Sequence, residues 1–196
     1  MTKPSELSYP EPIIALEHFD TYSPSRINVF QNCPRRFFYE YVLGWNPEIK
    51  SIHLVFGEAL HLGMAHLVSH HVEMRDPVNH KHLLEEAFTL FFDIFKAGTI
   101  NHQEGDLAKN KTEAMGAKLL QNWIEQRHND AFEPLFCEVK GSFPITDSQR
   151  VNFIIDAIVK HDQLGICNLE HKTAGMNSAA WRESWQTALQ PKVYTQ

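Results

Sequence analysis

Asp156, Glu170 and Lys172 are the residues of this chain whose types and spacing most readily do chemistry. They lie about residue 163, in the apolar runs Val151 to Lys160 and Ile166 to Lys172, which flank His161-Asp-Gln-Leu-Gly165. If the two runs are strands of a hairpin that turns at His161 to Gly165, Asp156 stands directly opposite Glu170. Cross-strand neighbours have Cβ atoms roughly 4.5–5.5 Å apart, and residues two apart on a strand share a face, so Lys172 joins the pair. Two carboxylates and an amine that converge on one point can bind a divalent cation through oxygen and set an amine beside an attacking water. Metal-dependent hydrolysis of a phosphodiester needs that combination.

The competing account is a surface salt bridge, which is common and weak. The flanking residues argue against it. Asp156 follows Ile154 and Ile155 and precedes Ala157, Ile158 and Val159, a run apolar on both faces like a central buried strand. Charges are rarely buried unless paired or on a metal.

Three further groups could join this centre. His61 lies one helical turn after Gly57 in Gly57-Glu-Ala-Leu-His61. A neutral imidazole is a competent metal ligand, and a glycine on the same face would let a backbone or nucleic-acid strand come close; a lone helical histidine also fits a surface or core role. Gln190 and Tyr194 fall one turn apart on one face, where they could contact a phosphate, orient the lysine or line a solvated stripe. Arg26, Arg35 and Arg36, interleaved with Phe37, Phe38, Tyr39 and Tyr41, form the basic and aromatic concentration of the chain. Arginine forks suit phosphates and aromatic faces can stack bases, while aromatics at helical spacing also build cores.

The elements that must position these residues follow from the pattern. The first 22 residues, with Pro4, Pro10 and Pro12, read as an extended arm, and residues 23–196 as one domain with a helical part over 23–130 and a sheet part over 135–196. A helix follows Pro24, with Ser25 as its N-cap, and Pro34 interrupts it. The helix restarts at Pro34 and runs to a stop at Gly44. Helices are expected over about 53–73, 79–96 and 106–129. After Pro134 the period changes to that of strands, Leu135 to Phe143, Val151 to Lys160 and Ile166 to Glu170. A last helix over about 178–195 contains Trp181, Trp185 and Leu189. The class is mixed α/β or α+β. The chain stops where another strand should follow that helix, so a shortened core, or one completed by a partner, is expected.

Composition narrows the function classes. With 196 residues, 43% hydrophobic and 21% charged, the chain can bury one sizeable core. A net charge of −6 argues against binding nucleic acid by bulk attraction and leaves room for a local basic patch with a cation. Cys33, Cys137 and Cys167 are too widely spaced for a disulfide framework or structural zinc site, and Cys137 and Cys167 read as small buried hydrophobes. The histidines between residues 53 and 82 fit solvated helix faces. No run suggests the ~18–20 apolar residues of a membrane span, and the N-terminus lacks a signal-peptide core, so a cytoplasmic location and no membrane partner are expected.

Taken in order, Ser25-Arg26-Ile-Asn28, Cys33-Pro-Arg-Arg-Phe37, Gly57-x-x-x-His61, Asp156, Glu170-x-Lys172-Thr173 and Gln190-x-x-x-Tyr194 resemble the RecB-like branch of the PD-(D/E)XK nuclease superfamily, which includes phage exonucleases and CRISPR-adaptation nucleases. The resemblance spans Ser23 to Tyr194. It implies a restriction-endonuclease-like core, a mixed central sheet flanked by helices, with an N-terminal helical portion. It further implies that His61, Asp156 and Glu170 ligate Mg²⁺ or Mn²⁺, with the backbone carbonyl of His171 as a further ligand, and that Lys172 positions or deprotonates the attacking water. Gln190 and Tyr194 would support the lysine and the DNA, and Arg26, Arg35 and Arg36 would lie along the DNA path. Ile154 stands where family members often carry glycine. Iron-sulfur members pair a cysteine at the Cys33 position with three later ones that this chain lacks, so no such cluster is supported.

The activity expected is that of a metal-dependent deoxyribonuclease, an exonuclease in preference to an endonuclease, acting on single- or double-stranded DNA in recombination, repair, phage replication or CRISPR-type processing, with a helicase or recombination partner. Two rivals stand beside it. One is a nucleic-acid-binding or regulatory module without turnover in a helicase-nuclease assembly. The other is a helical metal-carboxylate protein, suggested by Glu58-x-x-His61, for which the second motif, Glu125-x-x-His128, comes at the end of its helix.

Overall fold

In a computed structural model of the chain, residues 21–102 and 110–172 are described, together with Ala179, Glu183 and Ala188. Most of the expected last helix, including Gln190 and Tyr194, and the arm up to residue 20 lie outside the described residues. The chain divides into two compact units. One comprises Met1–Pro47, Ser142–Phe153 and Ala188–Gln196, the other Glu48–Gly141 and Ile154–Thr187.

In the first unit, β1 (Thr21–Tyr22) pairs in parallel with the start of β3 (Arg150–His161), Thr21 against Arg150 and Tyr22 against Val151. Helix α1 (Pro24–Asn32) is capped by Ser23, whose Oγ accepts from the Arg26 N–H at 3.2 Å. The cap is thus Ser23 and not Ser25, because Pro24 takes the first helical position, where its missing N–H is harmless. The chain restarts at Pro34 as expected, in α2 (Pro34–Phe37), with the Cys33 sulfur accepting from the Arg36 N–H at 3.4 Å. It continues as a π-helical turn, Phe38–Val42, and leaves at Gly44 with φ 69°.

The second unit carries the larger core. Helices α3 (Ile52–Ser69), α5 (His80–Thr99) and α6 (Glu113–Arg127) bury Phe56, Leu60, Phe91, Leu120 and Ile124 against one another, and the short α4 (His71–Met74) adds Met74. Rings of Phe56 and Phe91 meet edge-to-face at 5.7 Å. A Cβ at Gly116 would fall 2.0 Å from the Phe91 ring, so α6 approaches α5 more closely than any side chain there permits. Strands β2 (Phe132–Pro144), β3 and β4 (Gly165–Leu169) complete a four-stranded mixed sheet among the described residues, in which β3 bonds β1, β2 and β4. A second cluster, Val68, Phe132, Ala157 and Val159, joins helix to sheet, with Cys137 and Cys167 half-buried against it. Mixed α/β architecture of this kind is that of a restriction-endonuclease-like core.

Three expectations change. Ile155, Ala157 and Val159 are buried on one face of β3, whereas Ile154, on the face of Asp156, is 46% exposed, so β3 is not sealed on both sides. His71 departs from the solvated helix faces: it is fully buried, stacked on Phe132 at 3.9 Å, with Nε2 donating to the Arg127 carbonyl at 2.9 Å. Helix α3 is long and apolar enough, by length and composition, to cross a membrane, although Val55, Phe56, Ala59 and Leu60 are packed in the core.

Candidate active site

The β3–β4 hairpin has the register that residue spacing implied. Ala157 pairs with Leu169, Val159 with Cys167 and His161 with Gly165, so one step beyond the ladder Asp156 faces Glu170. Gly165 turns the chain at φ 76°, a conformation that glycine adopts without the Cβ clash other residues incur. The His171 N–H donates to Asp156 Oδ2 at 2.7 Å, which pins the end of β4 against the carboxylate.

Helix α3 supplies the second wall. His61 Nδ1 lies 3.3 Å from Asp156 Oδ1, and a Cβ on Gly57, one turn earlier, would meet nothing within 4 Å, so the space beside that glycine is open. Strand β2 supplies a third, which residue spacing did not indicate: Glu138. Ligand atoms of His61, Glu138 and Asp156 all lie within 4.8 Å of one another. Glu138 has φ 51°, the left-handed region that costs a non-glycine residue about 1–3 kcal/mol. The inward alternation of β2 slips by one residue at Leu135 and Phe136, both exposed. The cue that was present is an acidic residue inside a strand adjoining the Asp156 strand; which residue of that strand faces Asp156 depends on the slip.

Electrostatics at the centre are those of crowded carboxylates. Burial works to raise the Asp156 pKa, but hydrogen bonds from His61 and the His171 N–H outweigh it and hold the group ionised below its usual range. Glu138 is pushed up by partial burial and by the Asp156 charge, and Glu170 by burial, offset by its bond from Lys172. The Asp156 hydrogen bond raises the His61 pKa, while burial drives His171 down to about 4 and keeps it neutral. Lys172 Nζ lies 2.5 Å from Glu170 Oε1. An imidazole and carboxylates that repel one another at this range fit a divalent cation, which relieves that repulsion.

The other expected site residues are distributed as follows. Arg26 is buried in an aromatic cage, its guanidinium 5.9, 5.5 and 5.2 Å from the rings of Tyr22, Phe37 and Tyr41, with Nη1 donating to the Thr21 carbonyl at 3.1 Å. This packing, and not a free surface on the DNA path, is what its neighbours make of it. Arg35 and Arg36 are exposed, the first over the Tyr39 ring at 5.8 Å, the second paired with Glu40 at 2.8 Å. Glu58, the carboxylate of the di-metal alternative, is exposed and pairs with Lys50.

No curated protein matches the chain. A family model does, over residues 21–196. By that match over nearly its whole length, the chain belongs to the PD-(D/E)XK nuclease superfamily.

Proposed function

We propose that this nuclease is a divalent-metal-dependent deoxyribonuclease, an exonuclease that hydrolyses phosphodiester bonds in recombination, repair, phage replication or CRISPR-type processing, in company with a helicase or recombination partner. The observation that carries the reading is the meeting of Asp156, Glu138 and His61 at one point with the Glu170–Lys172 pair at the adjoining hairpin end. His61, Glu138, Asp156 and Glu170 would hold the ion, with the His171 carbonyl as a further ligand. Oxygen donors suit Mg²⁺ and Mn²⁺, and the imidazole tilts the set toward Mn²⁺. Such an ion, when bound, polarises the phosphoryl group and stabilises charge on its oxygens.

The chain's own residues do the rest. Glu170 holds the Lys172 ammonium through a charge-assisted bond, which supports the reading that its Nζ–H groups serve the attacking water and the negative charge that grows at phosphorus. Lys172 would orient that water and stabilise the added charge. The His171 amide fixes the Asp156 carboxylate from behind, which leaves Asp156 Oδ1 facing His61. Arg35 and Arg36, exposed on the first unit, supply phosphate contacts.

Cleavage of end-labelled single- and double-stranded DNA with Mn²⁺, Mg²⁺ or EDTA, beside a Lys172→Ala variant, tests this. Metal-dependent products that disappear in the variant are expected, and the label released gives the polarity. Cleavage that persists in Asp156→Ala would sink the assignment.

A further inference from the structure

A pocket of about 270 Å³ opens beside the candidate ligands, and part of its lining has no task in hydrolysis. Glu170, Lys172 and His61 form one part; Trp123, Arg127 and Asp130 form another. Trp123 and Arg127 are one turn apart on the same face of α6. The Trp123 ring stands edge-on to His171 at 6.0 Å, and His171 in turn stands edge-on to His61 at 6.4 Å. An aromatic path thus connects Trp123 to the reacting end.

Arg127 Nη1 donates to Asp130 Oδ2 at 3.1 Å. The pairing offsets part of the guanidinium charge, so this end favours a neutral polar group over a phosphate. It offers instead planar donors and an acceptor to the polar edge of a flat group. The wall is fixed from behind: His71 donates to the Arg127 carbonyl at 2.9 Å, and Arg75 to the Phe132 carbonyl at 3.0 Å. Small-ligand pockets run ~300–1,000 Å³, so this one suits a single base and not a stacked base pair. A flat heteroaromatic with a polar edge, attached to the phosphate that the neighbouring residues address, is a nucleobase.

We propose that this pocket is a nucleotide subsite, taking the base of one unpaired nucleotide next to the scissile phosphate, with Trp123 stacking on the base and Arg127 and Asp130 bonding its edge. The proposal rests on the nuclease reading of Glu170 and Lys172. A base held there has left the duplex, so single-stranded or frayed ends are the substrate class, and Trp123, Arg127 and Asp130 are positioning residues for it.

Calorimetric titration of the full chain in Mn²⁺ compares deoxynucleoside 5′-monophosphates with 2-deoxyribose 5-phosphate, which lacks only the base. The mononucleotides should bind about tenfold more tightly or better, the size of one base–aromatic stack. Trp123→Leu should erase that excess. Arg127→Gln, at a side chain 57% exposed, should flatten discrimination among the four bases, and it decides the matter if Trp123→Leu fails to fold. Equal binding of sugar phosphate and mononucleotides, no binding of either, or an excess unchanged in the folded variants overturns the subsite. Failure of the nuclease reading would show elsewhere, as DNA cleavage indifferent to Lys172→Ala.

Discussion

Glu138→Gln should raise the stability of the metal-free protein and weaken its hold on metal, opposite signs that only a ligand site produces. The carboxylate oxygens of Glu138 and Asp156 lie within 4.8 Å of each other. Two unit charges at that range repel by roughly 3 kcal/mol at an effective dielectric constant of 20. Glu138 is exposed, and solvent screening reduces this to about 1 kcal/mol. Glutamine removes the charge, keeps the shape and retains the left-handed backbone, so the strain at φ 51° is common to both proteins. The same screened interaction with a divalent ion is about twice as large, about 2 kcal/mol, or roughly 30-fold in Kd. At a Mn²⁺ concentration about 100 times the parent Kd, the parent gains about 2.7 kcal/mol and the variant about 0.9 kcal/mol. The stability order therefore reverses on adding metal. Each difference of about 1 kcal/mol moves Tm by roughly 2–4 °C in a chain of this size. Differential scanning calorimetry with and without Mn²⁺, and titration for Kd, read both. An unchanged Kd, or parallel Tm shifts in both conditions, would refute Glu138 as a ligand.

Three other outcomes follow from the same geometry. Gly116→Ala should destabilise the fold by about 1–2 kcal/mol in urea unfolding, since a Cβ 2.0 Å from the Phe91 ring overpacks the α5–α6 contact by more than the helix-propensity gain returns. His61→Ala should weaken Mn²⁺ binding at least tenfold by calorimetry while far-UV circular dichroism stays unchanged, because His61 is partly exposed and bonded to Asp156 alone among the described residues. Burial holds the His71 pKa below its ordinary 6.5, so the folded protein binds fewer protons there than the unfolded chain. Its contribution is complete above about pH 6.5 and is lost as pH falls from there toward the lowered folded value. Urea midpoints at pH 7.5 and 5 should therefore differ more in the parent than in His71→Leu, with His66 and His171, also lowered, leaving a residual slope.

The hairpin was legible in the sequence because its information is local. Strand period and a short turn ending in glycine settle the register between Asp156 and Glu170, and Ala157 opposite Leu169 agrees with it. Helix types and the stop at Gly44 were legible for the same reason, since period, proline and glycine act within one turn of chain. What only tertiary structure decided lies across long sequence separations. Glu138 reaches Asp156 because β2 slips by one residue, and a slip is invisible to an alternation rule. Arg26 is enclosed by Tyr22, Phe37 and Tyr41, although its charge and aromatic neighbours in sequence suggested a surface. Trp123, Arg127 and the hairpin share one pocket because Trp123 of α6 packs against Val68, Phe132 and Val159, which join α3 to the sheet. Local propensities determined which elements form and how the hairpin pairs. Packing of apolar faces, which has no range limit along the chain, decided which side chains meet at the site.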